Sequence, residues 1–532
     1  MSVRLAKSAG LVSLATLSSR VLGLVRDGAL TRFFGAGVEM DAFLFATRIP
    51  TLLRELFAEG AMSAAFVPTF TRRLSGRAGR SDAWRLGSLA FNALLVITGA
   101  IVAAGIALAG PITAAYAPEF AGVATTVAGY RDKLDLAIGL TRITMPFLTV
   151  IALSAVLMGM LNALGRFFIP AFAPAVYNIV LTITAVLSAW FGPRVGIEPI
   201  VGLAWGFVLG GVGQFLVQWP AIRREGFRHQ WVLDVRDPGL HEIMRLMGPG
   251  TIGNAASQIN LFVNTVLATS LGTGPISYLN YAFRLMYLPI GIFGVSVATA
   301  VLPDLSRHAT TSDHAEIRRT LSWGLRLMLA LNVPATLGLI ALAVPIIELI
   351  FEGGKFTSVE TAATASALMF YAPGLIGYST VKIVSPTFYA MHDARTPMLV
   401  SLFSVAANVV LNLTLVRRFG FQGLALGTAL AATINAGLLV LLLRPRIGGL
   451  DGRRIAGTFV RITLASIAMA LAAVWVESTL HQWLPEPTFW ARLVRVGVAI
   501  VVALGVLALA AMALRIQEFQ IAMSRVLARV RR

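Results

Sequence analysis

The chain has 532 residues, 57% of them hydrophobic and only 13% charged, with a mean hydropathy of +0.78. That excludes an ordinary soluble globular protein, and the absence of cysteine removes disulfides, thiol nucleophiles and Cys-based metal sites. The 44 Lys and Arg against 25 Asp and Glu give a net charge of +19. The positive residues gather in connecting loops, where orientation in a membrane explains them better than nucleic acid does.

In chain order, apolar runs predict about 14 membrane-spanning helices. They fall near 6–34, 38–70, 84–113, 134–162, 171–192, 199–221, 240–271, 275–303, 317–350, 359–391, 397–416, 422–443, 456–476 and 489–514. Arg4 and Lys7 ahead of the first run resemble a secretory signal. The run continues past Arg20 and Arg26 without a small-residue cleavage site, so it reads as a helix. Several runs exceed the roughly 20 residues a crossing needs, which implies tilt or bending. Pro50, Pro146, Pro289 and Pro334 are the candidate kinks.

The first two runs are the anomaly. They carry Arg20, Arg26, Asp27, Arg32, Asp41, Arg48, Arg54, Glu55 and Glu59. A charge near the bilayer centre costs about 2.5–3.5 kcal/mol on insertion scales, so these side chains must face water, one another or a charged ligand. The reading they support is a cationic cavity for an anionic, lipid-borne substrate. Arg20 and Arg26 lie about 120° apart around a helix, so a wide cavity, not a narrow stripe, takes both. The plainer alternative is snorkelling to the interface or pairing with Asp27 and Asp41. Arg54, beside Glu55 and just over a turn from Glu59, is either a ligand contact or half of an ion pair. Arg284 is the one strong charge between Leu261 and Val301. Guanidinium suits phosphate oxygens, because it donates in parallel pairs and stays charged. The lone cations Arg142, Arg326 and Lys382 read as helix-packing partners or bilayer-edge anchors.

Alternate loops differ in charge. Arg72, Arg73, Arg77 and Arg80, then Arg223, Arg224 and Arg228, then Arg444, Arg446, Arg453 and Arg454 share one side with the basic C-terminal tail. The positive-inside rule makes that side cytoplasmic and places both termini there, with Arg417 and Arg418 as exceptions. Motifs recur in the same order: LNALGRFFIP (Leu161–Pro170) with FYAMHDARTP (Phe388–Pro397), GLAWG (Gly202–Gly206) with GLALG (Gly423–Gly427), and FVP at Phe66–Pro68 with VLP at Val301–Pro303. The fold class expected is therefore an all-α polytopic membrane protein. It comprises two pseudo-repeated six-helix lobes, 1–222 and 223–445, inserted in the same direction, with an added helix pair and basic tail over 446–532. The seventh run is polar where the first is charged, and its Asn254 and Gln258 are candidates for a polar cavity wall.

Enzymatic constellations are missing: no His-x-x-x-His pair, Walker loop, dinucleotide fingerprint or Ser-His-Asp candidate stands out. EGGKF (Glu352–Phe356) reads as a turn. No metal, cofactor or nucleic acid is expected. An exporter of drugs or other polyprenyl-linked sugars, a membrane glycan polymerase and a non-transporting scaffold for cell-wall synthesis are the competing readings.

At SRVLGLVRD (Ser19–Asp27), FFGAGVEMDAF (Phe33–Phe43) and LLRELFAEGAMSAAFVP (Leu52–Pro68) the sequence resembles the MurJ/MviN family. RFFIPAFAPAVYN (Arg166–Asn178), RLMYLPIGIFGVSVATAVLP (Arg284–Pro303), GGKFT (Gly353–Thr357) and ARTP (Ala394–Pro397) extend the likeness over nearly the whole chain. These are bacterial inner-membrane flippases for lipid II, the undecaprenyl-pyrophosphate-linked peptidoglycan precursor, in the multidrug/oligosaccharidyl-lipid/polysaccharide exporter superfamily. The resemblance implies a monomeric transporter with two lobes in a V. It places the substrate-binding arginines at Arg20, Arg26, Arg54 and Arg284 and the charge-balancing acids at Asp41 and Glu59. It gives the last helix pair a groove for the polyprenyl tail, and it makes cell-wall synthesis proteins candidate partners. Phe283 and Glu55 depart from some relatives. Where some members bind sodium, Tyr389 replaces the amide expected beside Asp393, so no sodium site is expected.

Overall fold

The computed structural model describes residues 2–57, 61–76, 79–310, 313–485, 488–516 and 518. Among them the chain is helical, with no strand beyond one isolated bridge between Gly353 and Phe356. It divides into two compact units, Met1–Ser277 with Gly353–Thr357, and Tyr278–Glu352 with Ser358–Arg532.

The first unit contains α1 (Ser2–Phe34), α2 (Val38–Phe57), α3 (Ala61–Leu74), α4 (Gly79–Ala107), α5 (Ala109–Tyr116), α6 (Lys133–Thr144), α7 (Phe147–Ala163), α8 (Phe168–Phe191), α9 (Pro199–Arg224) and α10 (Pro238–Thr269). The division falls within α11 (Pro275–Pro289). The second unit continues with α12 (Val295–Thr310), α13 (His314–Ala341), α14 (Ala343–Ile350), α15 (Ser358–Tyr371), α16 (Gly374–Ala390), α17 (Arg395–Phe419), α18 (Phe421–Arg446), α19 (Gly452–Trp483) and α20 (Phe489–Ala513).

Every apolar run is helical over its described residues, but several are broken. Pro146 separates α6 from α7, and Pro289 precedes a π-helical turn, Ile290–Gly294. Both fit the loss of a backbone donor at proline. At the other two candidate positions the helix assignment is continuous, α2 through Pro50 and α13 through Pro334. The carbonyl that Pro50 orphans, four residues back at Ala46, accepts a bond from Thr144 Oγ1 at 3.3 Å.

Ten helical spans are long and apolar enough to cross a membrane among the described residues, counting α6–α7 and α11–α12 as single spans; α15–α16, bent by 45°, makes an eleventh. The chain is a multi-pass membrane protein. Helix α2 is not among the ten, because it carries Asp41, Arg48, Arg54 and Glu55 within 20 residues.

Both units build a helical hairpin on a glycine face. In α9 a Cβ at Gly202 or Gly206 would stand 2.5 Å from Ser188 Cβ or 2.2 Å from Thr184 Oγ1 of α8. In α18, one at Gly423 or Gly427 would meet Leu415 O at 2.4 Å or Asn412 Oδ1 at 2.1 Å of α17. Small residues let membrane helices approach this closely, and the recurring Gly-Leu-Ala-x-Gly motif supplies them in each half. The first unit's core stacks Phe66 on Phe70, then Trp84 and Phe227, with centroids 5.3–5.7 Å apart. The second packs Leu321, Val384, Phe388, Leu439 and Leu443 against Ile462 and Ala499 of α19 and α20. Leu402, Phe403, Leu471, Trp475 and Val501 stay exposed, as a lipid-facing belt requires.

Candidate functional site

Helix α1 positions two of the expected arginines differently. Arg26 donates through Nε and Nη2 to Asp27 Oδ1 at 3.0 and 2.7 Å, and through Nη1 to Asn178 Oδ1 at 2.7 Å. Its guanidinium lies 6.0 Å from the centre of the Tyr177 ring. Asn178, on α8, also donates to the Ser19 carbonyl at 3.0 Å, so one amide ties both the charge and the backbone of α1. The pairing alternative weighed from sequence is therefore realised at Arg26 with Asp27. Arg20 sits half-buried and makes no hydrogen bond or ion pair among the described residues.

On α2, Arg54 contacts its neighbour Glu55 at 3.4 Å, each about a quarter exposed. Arg48 is half-buried on the same helix. Glu59 and the side chain of Asn254 lie outside the described residues, while Gln258 is half-buried on α10. Arg284 belongs to the second unit, half-buried on α11. The neighbouring Phe283 stacks on Tyr287 and meets Tyr371 and Tyr378 edge-on.

Asp41 corrects the expectation that it balances an arginine. Its carboxylate, wholly buried, takes Lys133 Nζ at 3.2 Å, the backbone amides of Gly274 at 2.6 Å and Ser277 at 3.0 Å, and Ser277 Oγ at 2.6 Å. Pro275 opens α11, so those amides are donors that a helix N-terminus leaves unsatisfied. A carboxylate from a distant helix thus caps α11. Lys133, the first residue of α6, is itself buried and lies 4.2 Å from the centre of the Phe120 ring. Sequence reasoning missed it because Lys133 stands at the edge of a polar loop, where a lysine ordinarily faces water.

The turn at Gly353–Thr357 forms as expected, but it packs with the first unit. Lys355 N donates to the Arg32 carbonyl at 2.9 Å, and a Cβ at Gly354 would stand 2.2 Å from that same oxygen. Only glycine, at φ +59°, fits there.

The connector between α9 and α10 is tied down by charge. Asp237 caps α10 through Gly239 N and Leu240 N, and it also accepts from Arg73 and Arg85. Burial pushes its carboxyl up, but Arg73 and the amides outweigh that and hold it below the usual range. Asp393, in the α16–α17 turn, is lowered by Thr396 and Arg446. It accepts from the Thr396 amide and hydroxyl in the first turn of α17.

A family model described as lipid II flippase MurJ matches residues 30–494. The chain belongs to the lipid II flippase MurJ family. The probable lipid II flippase MurJ of Vibrio cholerae is 36% identical over 488 residues, covering 91% of each chain. The lipid II flippase MurJ of Burkholderia cenocepacia is 36% identical over 439 residues, covering 82% of this chain and 83% of its own. A solved lipid II flippase MurJ in an inward closed conformation superposes with a TM-score of 0.76 at 28% identity, across 95% of this chain and 99% of its own. An inward-facing multidrug transporter of the MATE family gives 0.66 at 16% identity, which shows a shared fold. Members of the MurJ family are transporters of lipid II, not enzymes, and this chain is read as a flippase accordingly.

Proposed function

We propose that this MurJ-family flippase carries lipid II from the cytoplasmic to the outer leaflet by alternating access. Arg20 first receives the pyrophosphate, and Arg26, Arg54 and Arg284 neutralise it in turn. The observation that carries this reading is the contrast on α1. Arg26 already has Asp27 and Asn178, whereas Arg20, six residues earlier on an apolar helix, has no partner among the described residues. A half-buried guanidinium without a counter-ion is costly in a membrane helix unless a ligand anion completes it.

Fourteen crossings support this reading better than ten or eleven. The charge that removes α2 from an apolar count is what a cavity-facing helix needs, and an even number returns both termini to the cytoplasm. The motif duplication supports lobes at 1–222 and 223–445 with an added pair over 446–532, acting as a monomer. Gln258 and Asn254 on α10 would contact sugar or peptide, and Glu59 would exchange for the substrate on Arg54. Membrane potential can assist, since moving one charge is worth about 2.3 kcal/mol per 100 mV.

The test is flipping of labelled lipid II in proteoliposomes by wild type and by Arg20→Ala, Arg26→Ala, Arg54→Ala and Arg284→Ala. Loss of transport with normal insertion supports the assignment. Wild-type rates in all four end it.

A further inference from the structure

A second basic site lies wholly within the second unit, where α13, α18 and α19 present their ends. A cavity of about 980 Å³ is lined by Arg318, Arg319, Arg444, Arg453 and Arg454, with Phe459, Leu441 and Val440 forming an apolar wall. A smaller one of about 400 Å³ shares Arg453 and Arg454 and adds Arg326, Arg461 and Arg515. Three acids answer this charge. Asp451 stands 4.0 Å from Arg318, Glu316 pairs with Arg319 at 2.6 Å, and Glu518 pairs with Arg326 at 2.8 Å. Arg444, Arg453, Arg454, Arg461 and Arg515 make no ion pair among the described residues. Asp451 precedes α19 but makes no side-chain bond to its first turn, so it does not cap the helix that carries Arg453 and Arg454.

We propose that these adjoining cavities form a binding site for a phosphate-bearing anion, supplied by the headgroup of an anionic glycerophospholipid. Guanidiniums on three helices line the larger cavity beside Asp451, and Glu518 lines the smaller one, so positive charge is in excess, which is the chemistry of phosphate capture. The helix N-terminus of α19 adds unsatisfied donors on the same side. The apolar wall favours a lipid over a soluble phosphate. Phe459 is 42% exposed and Leu441 62% exposed beside the arginines, so a headgroup held there lays its acyl chains along apolar side chains. The bound lipid would cement the added α19–α20 pair to α13 and α18. The site uses none of the residues assigned to translocation.

The experiment uses the full chain in detergent with three additives: phosphatidylglycerol, phosphatidylcholine and soluble glycerol 3-phosphate. Thermal stability and lipid retained after size exclusion are the readouts. Phosphatidylglycerol should raise the melting temperature and co-purify, with phosphatidylcholine inert. The double change Arg453→Ala with Arg454→Ala should weaken that binding about tenfold or more. Arg444→Gln, on a different helix, should weaken it too and serves if the double variant folds poorly. An equal shift from glycerol 3-phosphate supports the anion site but overturns the lipid as its source. Equal lipid retention by wild type and both variants, or equal stabilisation by phosphatidylcholine, overturns the proposal.

Discussion

Lys133 Nζ lies 3.2 Å from Asp41 Oδ2, and neither side chain reaches solvent. Burying both charges is tolerable because the carboxylate also collects two amides and a hydroxyl from 274–277, leaving no lone pair wasted. Removing one partner is another matter. Asp41→Ala strands an ammonium against Phe120 and uncaps α11. The expected loss is about 3–5 kcal/mol, read as a lower denaturation midpoint in detergent. Lys133→Met combined with Asp41→Asn should recover much of it, since the asparagine still accepts from the Ser277 donors. A double variant no better than Asp41→Ala would show that the charged pair, not the cap, carries the stability.

Arg20 and Arg26 separate transport from stability. Arg20→Ala removes a side chain with no partner among the described residues, so stability should stay within about 0.5 kcal/mol while lipid II flipping is lost. Arg26→Ala removes one donor from Asp27 and one from Asn178 and should cost about 1–3 kcal/mol as well as transport. Paired unfolding and flipping assays on the two variants check this. A destabilised Arg20→Ala that still flips would reverse the roles.

Much of this organisation was readable from residues alone, and the exceptions share a cause. The all-helical, multi-pass architecture, the recurring motifs at Gly202–Gly206 and Gly423–Gly427, and the break at Pro146 follow from local pattern and backbone chemistry. Partner choice does not. Asp41 reads as an acid near arginines, yet its partners stand 92, 233 and 236 positions away in the chain. The Ala46 carbonyl that Pro50 leaves free lies 3.3 Å from Thr144 Oγ1, 98 positions away. A turn such as Gly353–Thr357 is legible as a turn, but its docking on the Arg32 carbonyl is a tertiary fact.

His229, in the connector before α10, has a sign that can be worked out. Its Nε2 meets Asn92 Oδ1 at 2.8 Å, and Phe91 and Trp231 pack edge-on within 5.0 Å. Burial lowers its affinity for a proton below the ordinary 6.5. The unfolded chain therefore binds a proton that the folded chain resists, so this contribution is full above about pH 6.5 and is lost as pH falls through the folded value. Melting temperature should fall between pH 7 and 5.5 in wild type, and the fall should shrink in His229→Gln. Parallel curves for the two proteins would remove His229 as the cause.

Glu348 ties α20 to α14 within the second unit. It lies 3.0 Å from Arg492 Nε and 3.2 Å from Arg495 Nη2, both on α20, while Arg492 also donates to Glu352 Oε1 at 2.8 Å. Arg495 is almost wholly buried and donates to His481 Nδ1 of α19, with Glu477 4.0 Å away. Glu348→Ala leaves that buried guanidinium with only the distant Glu477 for charge balance, a loss of about 3 kcal/mol or more. The damage should be local, because Glu348 sits on α14 and its partners on α20. Limited proteolysis should then cut first between α19 and α20, ahead of global unfolding. Glu348→Leu with Arg495→Leu should restore protection, because replacing both charges by apolar groups removes the desolvation cost together with the attraction. Unchanged protection in Glu348→Ala would mean that Glu352 and Glu477 suffice to hold α20.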